Sequence, residues 1–291
     1  MMESTMKRSD IRLNDPTSTT RRQNQEIARR RFDPWQTDLP ARDFDPGKIV
    51  PGFESLAAAR SESQIRQECL REGQKETHQQ LADRLAACNR GRPCLSPACS
   101  LCVGRFRIWC ISQALRFFED EADLIAVTII NDEHAVPRRH LKTVDARRMG
   151  RTLRQQMRRV QLEAPIIGGI DGDYREKTEQ WRPHFHLIAP ASTRPAFREL
   201  NERFYKGKGD SYRPVKISEV GDRAEQVSYC FKGYWRSKSW FFSEGEWREG
   251  SGGRLAGYRQ RQWLLWRDRF SISDFMFLFG ARRYGNEIRC L

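Results

Sequence analysis

Trp181-Arg182-Pro183-His184-Phe185-His186-Leu187-Ile188 leaves the chain little choice of local structure. Polar and apolar side chains alternate with a period of two, which fits a strand and not a helix. On that strand His184 and His186 share one face, while Phe185 and Leu187 share the other. The apolar pair enters a core, and the two imidazoles stand side by side in solvent, close enough to bind one divalent cation. The plain alternative is two surface histidines that happen to alternate. A mixed metal site needs a further carboxylate or imidazole. Asp132, Glu133 and His134, just past the strand-like run Leu124–Ile130, are the candidates, and His78 and His140 read as ordinary residues of polar segments.

The elements around this strand follow from the same periodicities. Leu124–Ile130 is a short β-branched run and reads as a central strand. Asp145–Val160 places Met149, Leu153, Met157 and Val160 on one helical face. Arginines, among them Arg147, Arg148, Arg151, Arg154, Arg158 and Arg159, fill the remainder. Strands are predicted near Ala164–Ile170, ending at the turn signal Asp171-Gly172, and over Arg182–Ile188 and Tyr212–Val220. Helices are predicted over Pro195–Phe204 and Arg223–Phe231, with one or two between Phe53 and Ala87, another over Arg105–Phe118 and a last near Tyr258–Phe270. The order β-α-β-β-α-β-α defines an α+β fold, with helices on one face of a sheet and the other face free for a site.

A second constellation sits on the Arg223–Phe231 helix. Glu225, Tyr229 and Lys232 are spaced i, i+4 and i+7, which puts them on one helical face. A metal ion and an ammonium near a tyrosine favour its phenolate and offset charge developing on a phosphate, and a glutamate can activate water. The bland reading is a helix whose Tyr packs its ring and whose Glu and Lys meet solvent.

Four of the eight cysteines, Cys88, Cys94, Cys99 and Cys102, fall within fifteen residues. Four thiolates in so short a span can surround one zinc ion, and chelation in a reducing cytosol explains the clustering better than dispersed disulfides do. Unrelated core or surface thiols are the alternative. Cys110 reads as a buried helix residue, and Cys230 points away from the Tyr229 face.

Composition sets the partner class. The formal charge is +14, and all but one of the excess positive charges lie in residues 46–291, so a polyanion is expected. The arginine-rich helix and the Lys206-Gly207-Lys208-Gly209 run followed by Arg213 are candidate phosphate contacts. Trp235, Trp240, Phe241, Phe242, Trp247, Trp263 and Trp266 either stack unpaired bases or, for most of them, pack in the core. No run approaches about 18 apolar residues, so no membrane span or membrane partner is expected. Residues 1–31 lack an apolar leader core, and a cytoplasmic location follows.

Taken together, Pro183–Ile188, Tyr229-Cys230-Phe231-Lys232 and the Ala126–Ile130 run resemble, in order and kind, the motifs of the HUH-type endonucleases, specifically the single-tyrosine replication initiators of rolling-circle plasmids. The resemblance covers about Cys88–Gly233. It implies an antiparallel HUH endonuclease-like sheet and a cysteine-rich, zinc-stabilised N-terminal extension ahead of the first catalytic strand. It implies DNA replication by nicking and rejoining, with Tyr229 left joined to the 5′ phosphate and a 3′ hydroxyl released as primer. His184 and His186 would hold Mg²⁺ or Mn²⁺, Glu225 would serve hydrolysis or termination, and Lys232 would orient or neutralise the phosphate or phenolate. Single-stranded or extruded origin DNA is the implied partner, with host helicase and polymerase beyond it; the oligomeric state stays open. Composition and the motifs together divide the chain into a flexible tail at 1–45, a helical segment with the four-cysteine zinc element at 46–120, an endonuclease core at 121–233 and an aromatic-rich extension at 234–291. Other readings are a conjugative relaxase or tyrosine transposase, and a zinc-stabilised DNA-binding regulator without catalysis.

Overall fold

The computed structural model describes residues 53–89, 91–206, 213–243, 245–250 and 252–291. The tail expected at 1–45, with Trp35 and Phe44, lies outside them, as do Gly207–Gly209 of the basic run and the side chain of Trp247. Two helices, α1 (Leu56–Arg71) and α2 (Glu76–Ala86), lead to the cysteine loop, and α3 (Ser100–Phe117) leaves it. Then follow β1 (Leu124–Ile130), the two-residue β2 (Val136–Pro137), α4 (Ala146–Arg159), β3 (Ile166–Arg175) and β4 (Gln180–Pro190). Next come α5 (Arg194–Leu200), β5 (Val215–Glu219), α6 (Arg223–Cys230) and β6 (Arg236–Lys238). The hairpin β7 (Trp240–Ser243) and β8 (Glu246–Glu249) precedes α7 (Gly257–Arg267) and the strands β9 (Met276–Phe279), β10 (Ala281–Tyr284) and β11 (Glu287–Cys290).

An α+β fold is what these elements make. The main sheet runs β5-β1-β4-β3-β6, with β2 added to β4 and β9 to β3. Its pairs are antiparallel except β3 with β6. Among the described residues no helix is long and apolar enough to cross a membrane.

Helices cover both faces of this sheet, not one as the sequence pattern predicts. Ile170 and Phe185 line a cleft with Ala146 and Gly150 of α4, so α4 takes the apolar face. On the histidine face α6 lies directly on β3: a Cβ added at Gly169 would sit 2.5 Å from the Cys230 carbonyl oxygen and 3.0 Å from that of Phe275. The burial of β3 and β4 explains the difference, because both strands are enclosed along almost their whole length, on both sides. The polar alternation of β4 therefore marks a buried site rather than a wet face.

Asp171-Gly172 is not a turn. Strand β3 runs straight through it, and the reversal into β4 comes at Glu176–Glu179, where Glu179 takes a left-handed φ of 48°. Gly172 is there because the Trp235 ring packs on it; a Cβ would lie 2.6 Å from that ring. Trp235 in turn meets Trp181 and Trp266, at ring separations of 6.0 and 4.9 Å. Trp263 is buried too, so three tryptophans of the C-terminal part are core residues, whereas Phe241 and Phe242 on β7 are exposed. One hydrophobic cluster runs from Leu70 through the sheet to Ile288, joining helical, sheet and C-terminal segments. Burying Phe185 and Leu187 within it contributes roughly 1.5–3 kcal/mol each.

Candidate metal and tyrosine site

The strand register decides which side chains meet. His184 pairs across the sheet with Ile130 and Asp171, and His186 with Thr128 and Gly169. All point to the same face, so the two imidazoles face a carboxylate from β3 and a hydroxyl from β1. The Asp171 Oδ2 atom is 3.4 Å from His186 Nε2 and 4.0 Å from His184 Nε2, and the two Nε2 atoms are 3.1 Å apart. Asp171, His184 and His186 are buried, not in solvent, and their ligand atoms lie within 4.8 Å of one another.

Tautomers follow from the outer partners. His184 Nδ1 is 2.9 Å from the Arg182 carbonyl oxygen, which only accepts, so Nδ1 carries the proton and Nε2 presents a lone pair inward. His186 Nδ1 meets Thr128 Oγ1 at 2.9 Å, and a hydroxyl can donate or accept. When Thr128 donates, His186 Nε2–H bridges to His184; when it accepts, both Nε2 lone pairs and Asp171 converge on one point. That second state is a facial set of two nitrogens and one carboxylate oxygen, with Asp171 Oδ1 buried and unpartnered behind it. The donor set fits a divalent cation.

Electrostatics agree. Burial alone would push the Asp171 carboxyl up, but the hydrogen bond with His186 and the neighbouring imidazoles and Lys232 ammonium hold it at about 2. Burial pushes His186 down to about 4, against the pull of Asp171, so its ring stays neutral and able to ligate near pH 7.

Tyr229 emerges from the last turn of α6 beside this cluster. Its ring centroid is 4.6 Å from that of His186, edge to face, and the residue is 46% exposed. Burial and the Asp171 carboxylate raise its phenol pKa, so the hydroxyl is protonated in the metal-free site. Lys232 does not continue the helical face as i+7 spacing suggests, because α6 ends at Cys230. From just beyond the helix end, Lys232 places its Nζ 3.0 Å from the Tyr229 ring centroid and 3.8 Å from Asp171 Oδ2. Burial lowers its pKa, while Asp171 favours its charge. A cleft of about 220 Å³ beside Tyr229 is lined by Thr128, His186, Lys216, Ser218 and Gln226. Glu225, exposed one turn earlier, does not line it. Cys230 is buried, and its thiol donates to the Gln226 carbonyl, away from the tyrosine.

The sequence candidates for a third ligand do not reach the cluster. Asp132 is ion-paired to Arg182 at 2.5 Å, and Glu133 and His134 lie with it on a short 3₁₀ turn beyond β1. Asp171 is the residue that pattern reading missed. Its signal was a lone acid inside a run of Ile and Gly that is long enough to be a strand.

The cysteine loop forms a second candidate metal centre. The Sγ separations are 3.6 Å for Cys88–Cys102, 3.6 Å for Cys88–Cys99 and 3.8 Å for Cys94–Cys102. Four sulfurs at about 2.3 Å from a tetrahedral zinc stand about 3.8 Å apart, whereas a disulfide needs about 2.05 Å. The four sulfurs thus form a cage of zinc size. The Cys94 N–H donates to Cys88 Sγ at 3.4 Å, and hydrogen bonds led by that from Cys102 favour the Cys88 thiolate. Burial lowers the Arg84 pKa, and the neighbouring Cys94 and Cys99 sulfurs oppose that shift.

On the arginine-rich helix, Arg147 is paired with Asp274, and Arg154 donates to the Leu278 carbonyl and lies over Phe277. Arg148, Arg151, Arg158 and Arg159 are exposed on the far side of the sheet from the histidines. Comparison with protein-family models, curated protein sequences and solved structures gives no match to this chain.

Proposed function

We propose that this protein is a metal-dependent DNA nicking and joining enzyme of the rolling-circle initiator type, with Tyr229 as nucleophile. The observation that carries the reading is the Tyr229 ring packed on His186, with Lys232 on its face and a three-donor set for a divalent cation beside it. A tyrosine used only for packing would have no reason to share a buried carboxylate, two imidazoles and an ammonium.

In this reading Asp171, His184 and His186 would hold Mg²⁺ or Mn²⁺, which when bound would polarise the scissile phosphate and offset its charge. Thr128 and the Arg182 carbonyl fix the two rings so that both Nε2 atoms point inward. Tyr229 loses its phenolic proton and forms the Oη–P bond as the P–O3′ bond breaks, and the 3′ oxygen takes up a proton. Lys232 neutralises charge on the phenolate and phosphate. The reverse attack by a 3′ hydroxyl rejoins the strand. Glu225, on the solvent side of α6, serves release of the adduct by activating water or a second hydroxyl. Zinc in the Cys88, Cys94, Cys99 and Cys102 cage is structural. The exposed arginines of α4 hold DNA backbone across the sheet from the chemistry.

The test is incubation with Mn²⁺ and single-stranded origin candidates, followed by denaturing electrophoresis. The wild type forms a DNA–protein adduct and Tyr229→Phe forms none; an unchanged adduct in Tyr229→Phe refutes the assignment. Normal release in Glu225→Ala removes the hydrolytic role. A DNA-binding regulator without catalysis predicts undiminished binding in Tyr229→Phe and no adduct from either protein.

A further inference from the structure

The hydrogen bonds of α6 do not place Lys232. The helix ends at Cys230, and among the described residues the backbone of Lys232, Gly233 and Tyr234 has one hydrogen bond, from Arg66 to the Gly233 carbonyl oxygen at 3.2 Å. The ammonium 3.0 Å from the Tyr229 ring centroid is therefore aimed by what holds Gly233.

Those contacts lead to the cysteine loop. Arg66, buried on α1, donates from one terminal guanidinium nitrogen to Gly233 and from the other to the Ala98 carbonyl oxygen at 2.9 Å, while its Nε donates to Glu62 at 2.5 Å. Ala98 directly precedes Cys99. A planar fork with all three nitrogens engaged fixes the separation of the two carbonyls it bridges. From the other side Gly233 rests on Val103, the residue after Cys102: a Cβ added at Gly233 would stand 2.6 Å from Val103 Cγ1. One turn further along α3, Arg107 donates at 3.2 Å to the hydroxyl of Ser228, the residue before Tyr229. Cys99 immediately precedes α3 and Cys102 lies in its first turn. The residues that flank Tyr229 and Lys232 are thus fastened to the loop and to the helix that leaves it.

We infer that Arg66 and Gly233 are positioning residues, which hold Lys232 over Tyr229 by clamping its turn to the cysteine loop and α3. The four-cysteine element is then part of the machinery that sets the site. The inference rests on the proposed DNA-nicking function for what Lys232 does there. The placement of the ammonium can be read without cleavage.

Gly233→Ala tests the seat, and Val103→Ala relieves it. Carbon atoms pack at about 3.5–4.0 Å, so the new Cβ displaces the turn by about 1 Å. With Val103 also cut to alanine its Cγ1 is gone, and the atoms that remain, Val103 Cβ and Arg107 Cδ, stand 3.7 Å from the new Cβ, an ordinary contact. The first readout is the Lys232 Cε–H signal of metal-free, DNA-free protein carrying ¹³C-lysine. The tyrosine ring current shifts it upfield, and its loss in Lys232→Arg assigns it. The second is single-turnover adduct formation at saturating Mn²⁺ and single-stranded origin DNA. Gly233→Ala returns the signal toward the ordinary lysine position and slows adduct formation roughly tenfold or more. The double variant restores both to the values of Val103→Ala alone. A role in stability alone lowers the melting temperature and leaves the signal and the rate where they were, which overturns the inference. A moved signal with an unchanged rate, or no rescue by Val103→Ala, overturns it too. If Gly233→Ala does not fold, Arg66→Lys, whose single ammonium cannot bridge both carbonyls as the fork does, is read by the same two measurements. A signal that moves and is rescued, with no adduct from wild-type protein, keeps the clamp and sinks only the nicking reading. A normal wild-type adduct with an unmoved signal in the variant does the reverse.

Discussion

Gly169 is the point at which the tyrosine helix rests on the sheet, and replacing it with alanine tests whether that seating sets the chemistry. The added Cβ would stand 2.5 Å from the Cys230 carbonyl oxygen. An ordinary C···O contact is about 3.3 Å, so backbone must move by about 0.8 Å. The neighbour that yields is the residue after Tyr229, whereas His184, His186 and Asp171 belong to the central strands and stay in register. Displacement by about 1 Å costs up to about a hundredfold in rate when the reacting atoms must be aligned. Overpacking costs about 1–3 kcal/mol, and removing a strand glycine returns about 0.5–1 kcal/mol, a net loss that a stability of about 5–15 kcal/mol absorbs. The expected result for Gly169→Ala is a folded protein with unchanged Mn²⁺ affinity by calorimetry. Single-turnover adduct formation at saturating metal slows roughly tenfold to a hundredfold. Gly221→Ala, just before α6, is the control, since its Cβ would meet nothing within 4 Å. A Gly169→Ala rate within about threefold of wild type refutes the idea that helix seating positions the nucleophile. A parallel loss of metal affinity refutes it too, by moving the effect to the ligands.

Other outcomes follow from the same geometry. In metal-free protein, an unfolded chain takes up a proton at His186 as pH falls from 6.5 to 4, and the folded chain, with this ring held at about 4, does not. Stability therefore drops by roughly 3 kcal/mol through that window, and by roughly 2 more as Asp171 is protonated between pH 3.8 and 2. Urea midpoints that are flat from pH 7 to 4 contradict the assigned burial. Elemental analysis should find one zinc per chain, and Cys99→Ser or a strong chelator should lower the unfolding midpoint by many degrees, because the binding energy of such a site is folding energy; a chelated protein with an unchanged melt removes the structural role. Arg158→Glu with Arg159→Glu should weaken DNA binding and lower the slope of log affinity against log salt by about 2, with the adduct rate at saturating DNA unchanged; an unaltered slope clears that helix of phosphate contact.

Much of the frame was legible because its elements obey simple periods. The α4 helix, the Leu124–Ile130 strand, the His-x-His strand and the tyrosine helix are all where their spacing puts them, and in the structure Asp145 and Asp222 cap the two helices. Pairing was less legible. Asp171-Gly172 has the composition of a turn, yet Gly172 is selected by the Trp235 ring and Asp171 by the two imidazoles, partners that are nearby only after folding. Periodicity also reads one layer at a time. It found the polar face of β4 and took it for a solvent face, because nothing local records that α6 will cover it. Lys232 shows the same limit: a helical spacing brought it to Tyr229 on paper, and in the molecule it reaches the ring from beyond the helix end.

The fastening of the cysteine loop bears on how the chain comes to be folded as it is made. Ser96 bonds to Asp268, and the Pro97 and Ala98 carbonyls accept from Arg267 and Arg66, so two of these three ties reach 172 and 170 residues ahead. During synthesis, α1, α2 and the loop emerge long before the helix that clamps them, and such distant contacts close late. A metal ion held by four cysteines from one fifteen-residue stretch needs none of that later sequence. With zinc bound as proposed, the loop would be set in its final shape before that helix is made and would wait, already formed, as the surface on which the C-terminal helix docks.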